Sequence, residues 1–158
     1  MKGVQLQRMP VTVVNLQRKL PLVSSVFREY TRRLLENVSE AADKEFAVAF
    51  VSDRRMKELN KLFRNKDSTT DVLSFPHEPD EFELTVPPAT AGGTDFLGDI
   101  VISAEQAASQ AEENGLTLEG EIRQLILHGV LHLCGYDHET DNGEMNAREL
   151  ELREQLGI

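Results

Sequence analysis

Apolar residues recur along this chain with two alternating periods, and together they lay out an α/β protein. Val11-Thr12-Val13-Val14-Asn15-Leu16 reads as a strand. From Pro21 to Val38 the apolar positions Val23, Val26, Phe27, Tyr30, Leu34 and Leu35 fall at helical spacing, which predicts a long amphipathic helix. Phe46 to Val51 is almost wholly apolar and predicts a second strand, buried on both faces. Ser52 or Asp53 is placed to cap a short helix through Phe63. Val72-Leu73-Ser74-Phe75 is a third strand, ended by Pro76, and Asp99-Ile100-Val101-Ile102 a fourth. Between them residues 77–94 hold Pro79, Pro87, Pro88, Gly92 and Gly93 and read as a loop, long for a compact domain. Ser103 with Gln106 three residues on has the pattern of a capping box, and Gly115 is placed to end the helix that follows at Asn114. Thr117 caps the next helix, with Glu119 and Glu121 in its first turn and an apolar stripe of Leu118, Ile122, Leu125 and Ile126. A last helix starts near Asn142. The order β-α-β-α-β-β-α-α-α predicts a single-domain α/β sandwich over residues 1–158, a mixed four-stranded sheet packed with about five helices.

Composition adds limits. At 158 residues, 40% hydrophobic and 28% charged, the chain has the make-up of a soluble domain with a sizeable core. No apolar run approaches the roughly 20 residues that cross a bilayer, so no membrane association is expected. Met1 to Pro10 is polar and lacks the apolar centre of a signal peptide. Cys134 is the single cysteine, which rules out an intrachain disulfide and, with the rest, points to the cytoplasm. The net charge of -10 argues against indiscriminate nucleic-acid binding. Cations nevertheless concentrate in two places. Arg54, Arg55, Lys57, Lys61, Arg64 and Lys66 outnumber Asp53 and Glu58, and Arg18, Lys19, Arg28, Arg32 and Arg33 outnumber Glu29 and Glu36. Each is ordinarily a solvated helix face; together they could form one patch for an anionic substrate.

The chemistry gathers near the C-terminus. Three of the four histidines fall in His128-Gly129-Val130-Leu131-His132-Leu133-Cys134-Gly135-Tyr136-Asp137-His138. His128 and His132 share one helix face, a turn apart. Gly135 can adopt the left-handed conformation that ends a helix and turns the chain back with His138. Three neutral imidazoles suit one Zn²⁺ and leave a fourth position open, the mark of a catalytic site. The expectation is therefore a zinc site on His128, His132 and His138 at the end of a helix in the C-terminal half. Gly129 stands where H-E-x-x-H proteases carry their glutamate base, which counts against ordinary peptide hydrolysis. Close packing of its backbone against another element is the simpler reason for a glycine there. Cys134, two residues past His132 on another side of the helix end, is better read as filler than as a fourth ligand.

Three blocks resemble the YbeY endoribonuclease family. His128 to Glu139 is similar to its H-G-x-L-H-L-x-G-Y-D-H-E signature. Leu59 to Asp67 followed by Thr70-Asp71-Val72-Leu73-Ser74-Phe75-Pro76 resembles a second block, and Leu97-Gly98-Asp99-Ile100-Val101-Ile102 a third. Glu144, Met145 and Glu149 fit the sequel. The likeness runs from about residue 46 to the C-terminus; Cys134 and the long 77–94 loop depart from it. The resemblance implies a metalloprotein that cleaves single-stranded RNA, with no DNA substrate expected. It implies work in maturing the 3′ end of small-subunit (16S) ribosomal RNA and in ribosome quality control, with small-subunit components as partners. It also implies one zinc on His128, His132 and His138, and a functional arginine at Arg64. The candidate catalytic residues are Arg64 and His128. Arg64 suits a phosphate because its planar fork donates two hydrogen bonds and keeps its charge. Asp71 and Ser74 are candidates to orient a ligand, though strand-end capping serves as well; His77 reads as incidental and Asp137 as a turn cap. An assembly factor with a structural zinc, or a zinc hydrolase of another substrate, stays open on residues alone.

Overall fold

The computed structural model describes residues 11–78 and 95–158. Strands β1 (Val11–Asn15), β2 (Glu45–Val51), β3 (Val72–Pro76) and β4 (Phe96–Ser103) form one sheet in the order β1-β2-β4-β3. β1, β2 and β4 run parallel; β3 is an antiparallel edge strand, with Ser74 opposite Ile100 and Pro76 opposite Gly98. The helices are α1 (Ser24–Asn37), α2 (Asp53–Arg64), α3 (Ala104–Asn114), α4 (Leu118–Leu133) and α5 (Glu144–Leu156), with a 3₁₀ turn at Ser39–Ala41. Among the described residues, the mixed four-stranded sheet with five helices is the architecture the hydrophobic pattern predicts. From residue 79 on, the expected 77–94 loop lies outside the described residues, as do residues 1–10.

One face of the sheet carries the main core. Phe46, Val48, Phe50, Ile100 and Ile102 meet Phe27, Tyr30 and Leu34 of α1, Ile122, Ile126 and Leu131 of α4, and Met145 and Leu152 of α5. Phe27 and Phe50 pack edge to face at 5.0 Å between centroids, and the buried Tyr30 hydroxyl donates to the Arg123 carbonyl at 2.7 Å. The opposite face is lighter: Met56 and Leu59 of α2 cover Val51, Leu73, Phe75 and Val101. β2 therefore alternates instead of being buried on both sides, with Phe46, Val48 and Phe50 in the core and Ala47 and Ala49 half-buried. The same arrangement separates the two basic segments. α1 and α2 lie on opposite faces of the sheet and make no common patch.

Local chemistry explains the shifted boundaries. α1 begins at Ser24, not Pro21, because the Gln17 side chain clasps the preceding turn, donating to Leu20 O at 2.9 Å and accepting from Leu20 N at 2.9 Å. α2 starts on Ser52, whose hydroxyl accepts from Arg55 N. It ends at Asn65 in the left-handed region (φ 57°), which asparagine tolerates. Ser103 caps α3 through Gln106 N, but the Gln106 amide does not return to close the capping box; it donates to Asp53 Oδ2, while Ser103 N donates to Asp71 O. Thr117 caps α4 as expected, accepting from Gly120 N at 3.0 Å. α5 starts at Glu144, two residues late, because Asp141 accepts from both Gly143 N and Met145 N. Gly129 lets α4 lie directly on β4: a Cβ there would sit 2.9–3.1 Å from three carbons of Ile100. That close approach accounts for the glycine and brings the histidine face of α4 to the β3 edge.

Candidate metal centre

His128 and His132 project from successive turns of α4, with their Nε2 atoms 3.1 Å apart. The helix ends at Leu133, where Cys134 N donates to Val130 O and Leu131 O. Gly135 (φ 102°) reverses the chain, and Tyr136 N returns to Leu131 O at 3.1 Å. The next turn is tied by Asp137, whose carboxylate accepts from Glu139 N and whose carbonyl accepts from Thr140 N and Asp141 N. Asp137 is thus the turn cap expected. His138 comes back over the helix end, and one ring nitrogen from each of the three histidines lies within 4.8 Å of the others.

The donor set fits zinc. An ion about 2.05 Å from two nitrogens at a tetrahedral angle holds them about 3.3 Å apart, close to the 3.1 Å observed between Nε2 atoms. The far nitrogens are spoken for. His128 Nδ1 faces the Glu149 carboxylate at 3.3 Å, and His132 Nδ1 faces the Tyr136 carbonyl at 3.0 Å. Acceptors there put the proton on Nδ1 and leave both Nε2 lone pairs to the shared side. Burial, then the neighbouring His128, hold the pKa of His132 below the usual histidine value, which favours the neutral ligand form. Burial pushes Glu149 up, but His128 and Arg153 outweigh it and leave its pKa low. Burial also raises the Cys134 thiol to about 11. Cys134 is not among the described residues whose donor atoms converge, in line with the filler role expected of it.

Arg64 stands on the rim of the same cavity, about 880 Å³, which the three histidines, Lys66, Asp71 and Ser74 also line. Its Nη2 donates to Ser74 O at 2.9 Å, and its guanidinium lies 5.8 Å from the centre of the Phe75 ring. The Ser74 backbone thus holds Arg64. Asp71 accepts from its own neighbour Val72 N at 2.8 Å and caps the strand. His77 lies at the end of β3, edge to face with Phe96, and is not among the cavity-lining residues. The loop between α2 and β3 is held from behind: Asn60 donates to Ser68 O at 2.8 Å, and Asp53 accepts from the Thr69 and Ser103 hydroxyls. Sequence reasoning missed a further brace. Glu40 accepts from Tyr136 Oη at 2.8 Å and from two nitrogens of Arg148 at 2.8 and 2.9 Å, tying the metal turn to the 3₁₀ turn and to α5. Arg148, working against burial and aided by Tyr136, holds the Glu40 carboxyl down at about 2.

The family model described as endoribonuclease YbeY matches residues 12–157. The chain is 50% identical over 116 residues to the endoribonuclease YbeY of Nautilia profundicola, covering 73% of this chain and 75% of that one. It is 35% identical over 161 residues to the endoribonuclease YbeY of Thermodesulfovibrio yellowstonii, covering 94% of each. The solution structure of TM1509 from Thermotoga maritima superposes with a TM-score of 0.61 at 27% identity, over 92% of this chain and 88% of that one.

Proposed function

The chain belongs to the endoribonuclease YbeY family, and we propose that it cuts single-stranded RNA in the precursor of small-subunit ribosomal RNA, using one zinc ion on His128, His132 and His138. All 158 residues act as one catalytic domain. The observation that carries the reading is the convergence of the histidine trio and Arg64 on one cavity. His128, His132 and His138 would hold the zinc, which would supply an activated water near neutral pH and Lewis-acid polarisation of a phosphoryl oxygen. The chain supplies the rest. Glu149 and the Tyr136 carbonyl orient His128 and His132. Arg64 donates to the non-bridging oxygens of the scissile phosphate, where charge builds as the bond to phosphorus changes. Lys66, on the same cavity, draws the strand in electrostatically. Among the described residues no helix is long and apolar enough to cross a membrane, and the place of work is the cytoplasm, beside small-subunit components. A structural zinc in a non-cleaving assembly factor fits the site less well, because Arg64 and the histidines would then share a cavity to no purpose. The test is cleavage of a single-stranded RNA by rigorously purified protein. Activity should need the metal and vanish in His128→Ala and His132→Ala; activity that survives loss of the metal, or none in loaded wild type, overturns the proposal.

A further inference from the structure

A second cavity, of about 560 Å³, shares Asp71, Val72 and His128 with the first. It lies on the Nδ1 side of the His128 ring, where Glu149 sits. α3 contributes Gln110 and Asn114 to its wall, α4 contributes Glu121 and Gln124, and Leu116 closes one side. Its chemistry differs from that of the first cavity. Arg64 and Lys66 are absent, and its one cation, Arg153, is already paired with Glu149 at 3.3 Å. Nothing in it suits a phosphate. It offers side-chain amides and three carboxylates, Asp71, Glu121 and Glu149, of which Glu121 is unusually situated. Glu121 is 4% exposed, and among the described residues its side chain makes a single hydrogen bond, from Asn114 Nδ2 to Oε2 at the long distance of 3.3 Å. A carboxylate has about four acceptor positions, so most of those on Glu121 are left to a ligand.

We propose that this cavity is a nucleobase subsite that takes a guanine of the RNA strand next to the scissile phosphate. The proposal rests on the nuclease reading above and names the base that accompanies the cut. Guanine is the one RNA base whose Watson–Crick edge presents two adjacent N–H donors, N1–H and the 2-amine, which match both oxygens of a carboxylate. Adenine and cytosine each set a ring-nitrogen acceptor beside their amine, and uracil flanks N3–H with two carbonyls; all three aim a lone pair at Glu121. Gln110 and Gln124 carry donors for the remaining guanine acceptors. Single-stranded RNA is read in this way, with bases splayed out and bonded along their edges. The two cavities then divide the nucleotide, the phosphate with Arg64 and the base with Glu121, on either side of His128.

The test uses the zinc-loaded full chain. Equilibrium binding of guanosine 5′-monophosphate is compared with the inosine, adenosine and cytidine monophosphates, and single-turnover cleavage is followed on oligonucleotides that differ at one base. Inosine keeps N1–H and lacks only the 2-amine. Guanosine should bind about ten- to a hundredfold tighter than inosine, the usual scale for one bidentate base contact, and the preferred cut should lie beside guanine. Glu121→Gln should erase that preference while zinc content and the melting curve hold. Gln124→Ala should weaken it by less. If Glu121→Gln does not fold, the guanosine-to-inosine ratio in wild type decides alone. Equal binding of the two overturns the subsite, whatever the cleavage rate. A guanosine preference with no cleavage of any oligonucleotide supports the subsite and sinks the nuclease reading instead.

Discussion

Glu149 faces both a histidine of the proposed metal site and a half-buried arginine, so it offers the most informative single perturbation. Its side chain is 10% exposed and faces two partners, His128 Nδ1 at 3.3 Å and Arg153 Nη2 at 3.3 Å. Arg153 Nε is itself buried with no partner. Glu149→Ala would strand both groups: His128 loses the acceptor that fixes its tautomer, and a one-third-exposed guanidinium loses its counter-charge. Breaking a fully buried pair by removing one member costs about 3–5 kcal/mol; with Arg153 one-third exposed, solvent screening reduces this to about 1–3 kcal/mol. For a chain of this size that is a fall of about 2–12 °C in melting temperature. Glu149→Gln separates the two roles. It keeps an oxygen for His128 and loses the charge that Arg153 needs. Removing or weakening a partner behind a metal-binding histidine costs about 10- to 100-fold in affinity. Zinc affinity, read by competition with a chromophoric chelator, should therefore rank wild type above Glu149→Gln above Glu149→Ala. Glu151→Gln, an exposed carboxylate on the same helix that bridges Arg148, should change stability by under about 1 kcal/mol. Wild-type zinc affinity in Glu149→Ala, with the melting temperature lowered all the same, would show that Glu149 supports α5 and nothing at the metal.

Four further outcomes are expected. Arg64→Ala should keep fold and zinc yet lose about 10²–10³ in single-turnover cleavage, and Arg64→Lys should recover little because a point charge cannot replace the fork; an equal, small loss in Lys61→Ala would reduce Arg64 to one member of a basic patch. Chelation should lower the melting temperature, since an ion bound only to the native state stabilises it by mass action; an unchanged curve after verified removal would contradict this. Glu40 has its carboxyl held at about 2 in the folded chain against an ordinary 4.5. Its contribution to stability is therefore full above pH 4.5 and is lost as pH falls toward 2. In metal-free protein Glu40→Gln should be the less stable above that window, with the gap closing through it, and a gap independent of pH would refute the ion-pair account. Gly129→Ala should destabilise by about 1–3 kcal/mol of overpacking, less about 1 kcal/mol of helix propensity. The penalty should fade in an Ile100→Ala background, and an equal penalty in both would clear Ile100 of the clash.

What could be read from the sequence was what is local. The histidine trio spans eleven residues, and helical periodicity plus one left-handed glycine determines how they meet. Thr117, Ser52 and the Asp137 turn are likewise short-range hydrogen-bonding patterns, and they form as expected. Long-range partners left no such trace. Glu149 is 21 residues from His128, and Glu40 is 96 from Tyr136; only the docking of α5 and the 3₁₀ turn brings them in. The Ser103–Gln106 capping box failed for the same reason, because Asp53, 53 residues away, offers the Gln106 amide a charged acceptor. The double-sided burial expected of β2 failed because a hydrophobic run does not say how thick a cover it receives. Ala47 and Ala49 are the residues facing away from the main core, and each is half-buried. The idea of one merged basic patch failed on topology, since α1 and α2 pack on opposite faces.

Arg64 shows how position alone can be ambiguous until the contacts are known. Lys61 and Arg64 both lie in the last turn of α2, where cations complement the helix dipole, so stability alone would account for either. Their contacts set them apart. No ion pair among the described residues engages Arg64, and its guanidinium is held between a backbone carbonyl of the edge strand and an aromatic ring. A neutral carbonyl is a weak partner for a cation; a phosphate oxygen forms a shorter, charge-assisted bond about twice as strong. Exchange of Ser74 O for phosphate is therefore favourable. Because the guanidinium is already held at the rim, little conformational freedom remains to be lost on binding. The edge strand gains as well, since an unpaired β carbonyl invites another strand and Arg64 covers it when no substrate is bound. One contact thus covers the sheet edge and, under the proposed function, would hold a phosphate-binding fork beside the histidines. Such a dual use would explain why the arginine stands at the end of α2 opposite β3, where a cation serving the helix dipole alone would have no need to reach the strand.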